Sequence, residues 1–203
     1  MKQGLAEVIC ILDMTGSMAS QTLDTLGGFN QFVKEQREVP GECKVTVIFF
    51  NSDGYVKWLD AVDLKDVPEL TSAVYRAKNN TPLYDAMGKT IVEAGERLAA
   101  TAEEERPERV LVMTMTDGLN NWSTVYTLQQ IVDMIARQRT EFSWEFAFIG
   151  ADLDSFGQGQ QFGIAHSANT KGDVRKGYQI MSNAARSYRT SGKVEGFGGE
   201  KKE

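Results

Sequence analysis

The chain reads as an α/β protein, a mostly parallel sheet with helices on both faces. Two patterns predict it. Residues 8–12, 44–50 and 110–116 are nearly continuous apolar runs, the signature of strands buried on both sides, and segments with helical spacing of apolar residues separate them. A third pattern marks one edge: residues 55–59 (Tyr-Val-Lys-Trp-Leu) alternate and follow the turn cluster Asn51-Ser52-Asp53-Gly54, which suits an antiparallel edge strand.

Taken in order, the first strand ends at Asp13. Leu23, Leu26, Phe29, Phe32 and Val33 then give a helix to about Arg37, although Gly27-Gly28 costs roughly 1 kcal/mol per residue there and suggests a break between a lead-in turn and the main helix. Pro40-Gly41 closes that unit before the second strand. Residues 60–80 carry no clear period. Thr81-Pro82-Leu83 opens a helix with the stripe Leu83, Met87, Ile91, Ala94 and Leu98, and Glu93 and Arg97 are spaced as an i,i+4 pair. After the strand at 110–116, Thr127-Leu128-Gln129-Gln130 matches a capping box and starts a helix with Leu128, Ile131, Val132 and Ile135 inward. Residues 144–149 form the next strand, 152–162 a short helix, 164–166 a short final strand, and 173–189 a last helix with Val174, Tyr178, Met181, Ala185 and Tyr188 on one side. The reading is one domain over 1–189 and a mobile polar tail over 190–203.

With 203 residues, 41% hydrophobic and 25% charged, the composition is that of a soluble globular chain. A net charge of −6 argues against a sequence-independent grip on nucleic acid or on an anionic membrane. Cys10 and Cys43 both fall in apolar strands, as buried thiols in a reducing compartment do. No apolar run approaches a membrane span and no secretory leader is recognisable, so the expected location is cytoplasmic.

Chemistry concentrates where apolar strands stop. After residues 8–12 come Asp13, Thr15 and Ser17; Thr81 stands at a helix start; Asp117-Gly118 follows the strand at 110–116. Ligands in open α/β sheets collect at the carboxyl ends of strands, and an acid-plus-hydroxyl set suits a hard cation such as Mg²⁺ or Mn²⁺. Each piece also has a purely structural explanation. Asp13 to Ser17 suit an Asx turn with Ser17 as helix cap, Thr81 suits an N-cap, and Asp117-Gly118 suits a turn.

The combination of Asp13-Met14-Thr15-Gly16-Ser17, a distal Thr81 and a distal Asp117-Gly118 resembles the metal-ion-dependent adhesion site of von Willebrand factor A domains, whose pattern is Asp-x-Ser-x-Ser with a distal Thr and a distal Asp. Thr15 replaces the usual serine and keeps the hydroxyl. The resemblance covers about residues 6–189 and is similar to stand-alone bacterial or phage members. It implies a doubly wound, Rossmann-like sheet with one antiparallel edge strand and a divalent cation (Mg²⁺, with Mn²⁺ or Ca²⁺ as substitutes) at its top. Thr15 and Ser17 would bind that cation directly, Thr81 directly or through water, and Asp13 and Asp117 often through water. An open coordination position would then take a Glu or Asp from a partner protein, with no chemistry following. Asn51, Asp53, Asn120, Asn121 and Trp122 fall on loops expected at the same edge, as a partner-binding rim; Trp122 suits either a partner contact or an anchor for its own loop. Asp85 fits the favourable helix N-terminus.

Two other functions compete. A phosphoryl-transfer hydrolase of haloacid-dehalogenase type would also begin with an acid after the first strand, with Asp152 and Asp154 as later acids, but it needs a second acid where Thr15 stands. A structural role would have the metal staple loops or join copies of the chain. His166, the only histidine, and the glycine-rich stretch 157–163 carry no recognisable catalytic or dinucleotide pattern.

Overall fold

The computed structural model describes residues 1–151 and 153–197, with 153–156 described by backbone alone. Its elements are β1 (Lys2–Asp13), α1 (Thr22–Arg37), β2 (Glu42–Asn51), β3 (Gly54–Asp63), α2 (Leu83–Ala100), β4 (Pro107–Thr116), α3 (Leu128–Phe142), β5 (Glu145–Gly150), α4 (Leu153–Gln161), β6 (His166–Asn169) and α5 (Val174–Ser191). Single 3₁₀ turns occupy Gly16–Gln21, Leu64–Asp66 and Glu103–Glu105. The strand order is β3-β2-β1-β4-β5-β6, parallel throughout except for β3, which runs antiparallel to β2 at the edge. This is the α/β, Rossmann-like architecture expected from the alternation of strands and helices. Connections run one way from β1 to β2 and the other way from β4 to β5, so the sheet's topological switch lies between β1 and β4, the place where open α/β sheets bind ligands at the strands' carboxyl ends.

The pleat of β1 divides the core. Val8, Cys10 and Leu12 face one layer with Phe29, Phe32 and Val33 of α1 and Tyr178, Met181 and Ala185 of α5. Ile9 and Ile11 face the other, with the α2 stripe Leu83, Met87, Ile91, Ala94 and Leu98 and with Ile131 and Ile135 of α3. Both cysteines are buried free thiols. Thr127 and Gln130 form the capping box reciprocally, Gln130 N–H donating to the Thr127 hydroxyl and Thr127 N–H to Gln130 Oε1. Among the described residues no helix is long and apolar enough to cross a membrane.

Four local expectations need correction. Gly27 and Gly28 do not break α1; the lead-in turn is the earlier 3₁₀ segment. The reason is packing, since a Cβ at Gly28 would lie 2.3 Å from Cδ2 of Tyr178, and the missing side chain lets α5 seat its ring on α1. Arg97 does not pair with Glu93. Its guanidinium reaches the fully buried Glu7 on β1, 2.5 Å away, and Asp60, because a buried carboxylate needs a partner more than an exposed one does. The last strand begins at His166, two residues later than the apolar run suggested. Finally, the tail beyond residue 189 is partly packed: α5 runs on to Ser191, and Val194 and Phe197 lie against the core. Residues 198–203 lie outside the described residues.

The two glycines therefore respond oppositely to alanine. Gly27 has open space around its Cβ position, so Gly27→Ala raises stability by about 0.5–1 kcal/mol through helix propensity. Gly28→Ala lowers it by about 1–3 kcal/mol through overpacking against Tyr178. Urea midpoints of the two variants check the sign of each.

Candidate functional site

β1 delivers Asp13 to the switch point and buries it, leaving 1% of the residue exposed. Its carboxylate is held from two sides. Oδ1 accepts the Thr15 backbone N–H at 2.7 Å, and Oδ2 accepts the Thr116 hydroxyl at 2.5 Å across from the neighbouring strand β4. The Asp13 carbonyl accepts the hydroxyl of Tyr75 at 2.7 Å. The Thr116 oxygen also accepts the Gly118 N–H at 3.1 Å, which fixes the turn carrying Asp117.

Ser17 is not a helix cap, although the Asx turn at Asp13 does form. Ser17 lies inside the 3₁₀ turn, and its hydroxyl donates to Asp117 Oδ1 at 2.6 Å. Thr15 Oγ1 is 3.1 Å from Ser17 Oγ. The strand ends of β1 and β4 are thus joined twice, by Asp13 with Thr116 and by Ser17 with Asp117.

Thr81 arrives on a loop clamped over this turn. Lys78 N–H donates to the Met14 carbonyl at 3.0 Å, and Gly16 N–H to the Asn79 carbonyl at 2.8 Å. Glycine eases the approach, since a Cβ at Gly16 would come within 3.3 Å of the Asn79 oxygen, a tight contact. Thr81 is not the N-cap of α2; Pro82 occupies that position, with no side-chain cap bond. The Thr81 hydroxyl makes no hydrogen bond among the described residues, although the residue is buried, and it faces Gly118, where a Cβ would be 3.5 Å from it. All five oxygen-bearing residues read from the sequence are therefore brought to one place.

Burial dominates the electrostatics. It pushes the Asp13 carboxyl up to about 6, with the Thr116 and Thr15 hydrogen bonds opposing and the Asp117 charge adding to the rise. None of the groups acting on Asp13 is a cation. Among the described residues no three His, Cys, Asp or Glu side chains gather to hold a metal. The donor set is instead two carboxylates and three hydroxyls, all hard oxygens, which fits Mg²⁺, Mn²⁺ or Ca²⁺ and not zinc. The unbonded Thr81 hydroxyl and the uncompensated Asp13 charge fit a cation as well.

The expected rim is mostly scaffolding. Asn51 is buried, donating to the Met14 carbonyl and accepting from Asp53 N–H, because a turn beneath the site needs its backbone groups satisfied. Asp53 forms an ion pair with Lys78 at 2.5 Å. Asn121 exchanges bonds with Thr81, its Oδ1 accepting Thr81 N–H and its N–H donating to the Thr81 carbonyl. Asn120 Oδ1 accepts from Tyr84 N–H and from the Ser123 hydroxyl. Trp122 is 54% exposed, with no ring partner among the described residues. Asp85 does more than face a helix dipole, accepting the N–H groups of Thr124, Val125 and Tyr126 at 2.8–3.0 Å.

Sequence reasoning missed Thr116 and Tyr75, and gave Asp85 a helix-dipole role alone. Only Thr116 had a signal, a hydroxyl on the residue just before Asp117 in an otherwise apolar strand. His166 lies on the far edge strand beside Glu145 and Phe197. Asp152 and the side chain of Asp154 lie outside the described residues. A cavity of about 890 Å³ lies elsewhere, between α2 and α3 and floored by Val110 and Trp144 at the opposite ends of the strands.

No protein-family profile matches the chain, and no curated protein matches it. Among solved structures it is similar to proximal thread matrix protein 1 (PTMP1) from the mussel byssus, with a TM-score of 0.55 and 16% identity over 92% of this chain. The chain spans 46% of that protein's length. At this identity the likeness speaks for the fold alone, the six-stranded α/β sheet described above.

The raised Asp13 value has a definite sign. A carboxyl whose folded value lies above its ordinary 3.8 contributes stability at pH below about 4, and that contribution is lost as pH rises through about 6. Two units correspond to about 3 kcal/mol. In a chelating buffer, Asp13→Asn is therefore more stable than the parent at pH 7.5 and loses less stability between pH 4 and 7, as thermal melts across that range will read. A less stable variant at pH 7.5 would make the carboxylate a structural group.

Proposed function

We propose that the chain is a cation-dependent protein-binding module. Asp13, Thr15, Ser17, Thr81 and Asp117 hold a divalent cation, Mg²⁺ in the first instance, at the carboxyl end of β1 and β4. A Glu or Asp side chain from a partner protein completes its shell. The observation that carries this reading is the double bridge between the two strand ends, with Thr81, a buried residue whose hydroxyl makes no hydrogen bond among the described residues, beside it. When bound, the cation supplies an electrophilic position for an outside oxygen. The protein's own part is to hold five oxygens in place before it arrives: Tyr75 and Thr116 fix Asp13, and the 78–81 clamp fixes Thr81.

The same geometry disfavours phosphoryl transfer. Two residues after Asp13, where that chemistry places a general acid, stands the Thr15 hydroxyl, which cannot donate a proton as a carboxylic acid does at neutral pH. The fold likeness supports the sheet and not the role, since the same sheet carries many activities; the role is argued from the site.

Titration calorimetry with Mg²⁺ alone, on the parent protein and on Ser17→Ala and Asp117→Ala, reads the cation directly. The parent binds one ion, and each variant loses at least about tenfold in affinity, a loss of the size expected on removing a metal ligand or its support. Capture of protein from the native host's extract then appears in Mg²⁺ and disappears in chelator and with Asp117→Ala. Capture that persists in chelator would overturn the proposal, as would turnover of an aryl phosphate that Asp13→Asn abolishes.

A further inference from the structure

Beside the oxygen cluster the chain exposes apolar surface of an unusual kind. Leu119, Trp122 and Val125 are 45%, 54% and 68% exposed, and they are three of the eight large hydrophobic residues exposed among the described residues. All three fall within seven residues of one loop, which begins two positions after Asp117. Scattered exposed apolar residues need no explanation, whereas three within one short loop that begins beside a candidate site do.

The loop that carries them is held rigidly by other residues. Asn121 and Thr81 exchange two hydrogen bonds; Asn120 takes Tyr84 N–H and donates its own N–H to Gln158 Oε1; Ser123 bonds Asn120 and accepts Asp85 N–H. The Asp85 carboxylate collects the next three N–H groups. Gln158 is itself buried and bonded to Tyr84. Trp122 contributes nothing to this network. A half-exposed tryptophan on a backbone already ordered is a costly arrangement for a monomer and an inexpensive one for binding, since no loop has to be ordered when a partner arrives.

We infer that residues 119–125 form a preordered apolar ledge beside the cation site, and that the partner is a protein segment bearing an Asp or Glu with a large apolar side chain within the next few residues. The acid goes to the cation and the apolar neighbour lies on Trp122, flanked by Leu119 and Val125. Charge and shape decide together. A bare acidic segment would leave the ledge in water, and an apolar segment without an acid would leave the cation position open. This inference rests on the cation-binding reading above, because the ledge alone would select only for hydrophobicity.

A random-peptide library displayed on phage, selected on the immobilised protein in Mg²⁺ and separately in chelator, tests it. Asp117→Ala and Trp122→Ala serve as parallel baits. In Mg²⁺ the parent enriches peptides with an acid followed or preceded closely by Trp, Phe, Leu or Met, and Asp117→Ala enriches none of them. Trp122→Ala keeps the acid and loses the apolar preference. By calorimetry its affinity for the synthesised consensus peptide falls about tenfold, as for a central aromatic contact, while its affinity for Mg²⁺ alone is unchanged. Trp122→Phe restores most of the loss. An acidic consensus with no apolar preference, or one that Trp122→Ala selects equally well, overturns the ledge and leaves the cation reading standing. Equal apolar enrichment in chelator overturns the coupling between the two. Absence of any acidic consensus overturns the inference as well, and it takes the cation reading with it only if Mg²⁺ itself fails to bind.

Discussion

A carboxylate is buried at the sheet's switch point with no cationic side chain among the groups that act on it, and the surrounding architecture is arranged around that constraint. Removing a carboxylate from water is expensive, and folded proteins meet the cost with a paired cation, with hydrogen bonds or with protonation. Elsewhere in the chain the first remedy is used: Glu7, equally buried on β1, has Arg97 and the Thr46 hydroxyl. Asp13 is given hydrogen bonds only, from Thr15 and Thr116, and its proton affinity rises. Two acids on one strand thus differ, one neutralised by a cationic side chain and the other not, and the proposed cation would neutralise Asp13 from outside.

The loops follow from the same point. Gly16 lacks a side chain so that residues 78–81 can close over the Asp13 turn, and closing them brings Thr81 to Gly118. Once Thr81 is there, Asn121 binds its backbone, and the 119–125 loop inherits a fixed position next to the site. Tyr75, from a stretch without regular structure, spends its hydroxyl on the Asp13 carbonyl. What emerges is a hard-oxygen cluster built almost wholly from loop residues and carried on a rigid sheet, the usual division of labour between function and scaffold.

Much of this was legible because the periods are strong. The strand runs, the antiparallel edge, the α2 and α5 stripes and the capping box at Thr127 all follow from alternation, helical spacing and cap chemistry, and each is present. Four of the five oxygen-bearing residues were readable because they follow the ends of apolar runs, and Thr81 because it stands at a helix start. Less was readable wherever the deciding partner lies far along the chain. Gly28 looked like a helix breaker because Tyr178, 150 residues later, is what requires it. The backbone partners of Asn51, Asn120 and Asn121 at Met14, Tyr84 and Thr81 were not readable, because they cannot be deduced from local spacing. Tyr75 stood in a segment without periodicity, so nothing local distinguished it from other loop tyrosines.

The central claim is that one cation is held among Asp13, Thr15, Ser17, Thr81 and Asp117, and paramagnetic relaxation by Mn²⁺ measures that location directly. In an amide NMR spectrum, substoichiometric Mn²⁺ should first broaden the signals of residues 14–18, 81 and 117–118, with excess Mg²⁺ restoring them. Broadening that spreads over the acidic surface, or that centres on the Glu103–Glu105 turn while those signals stay sharp, would contradict the account.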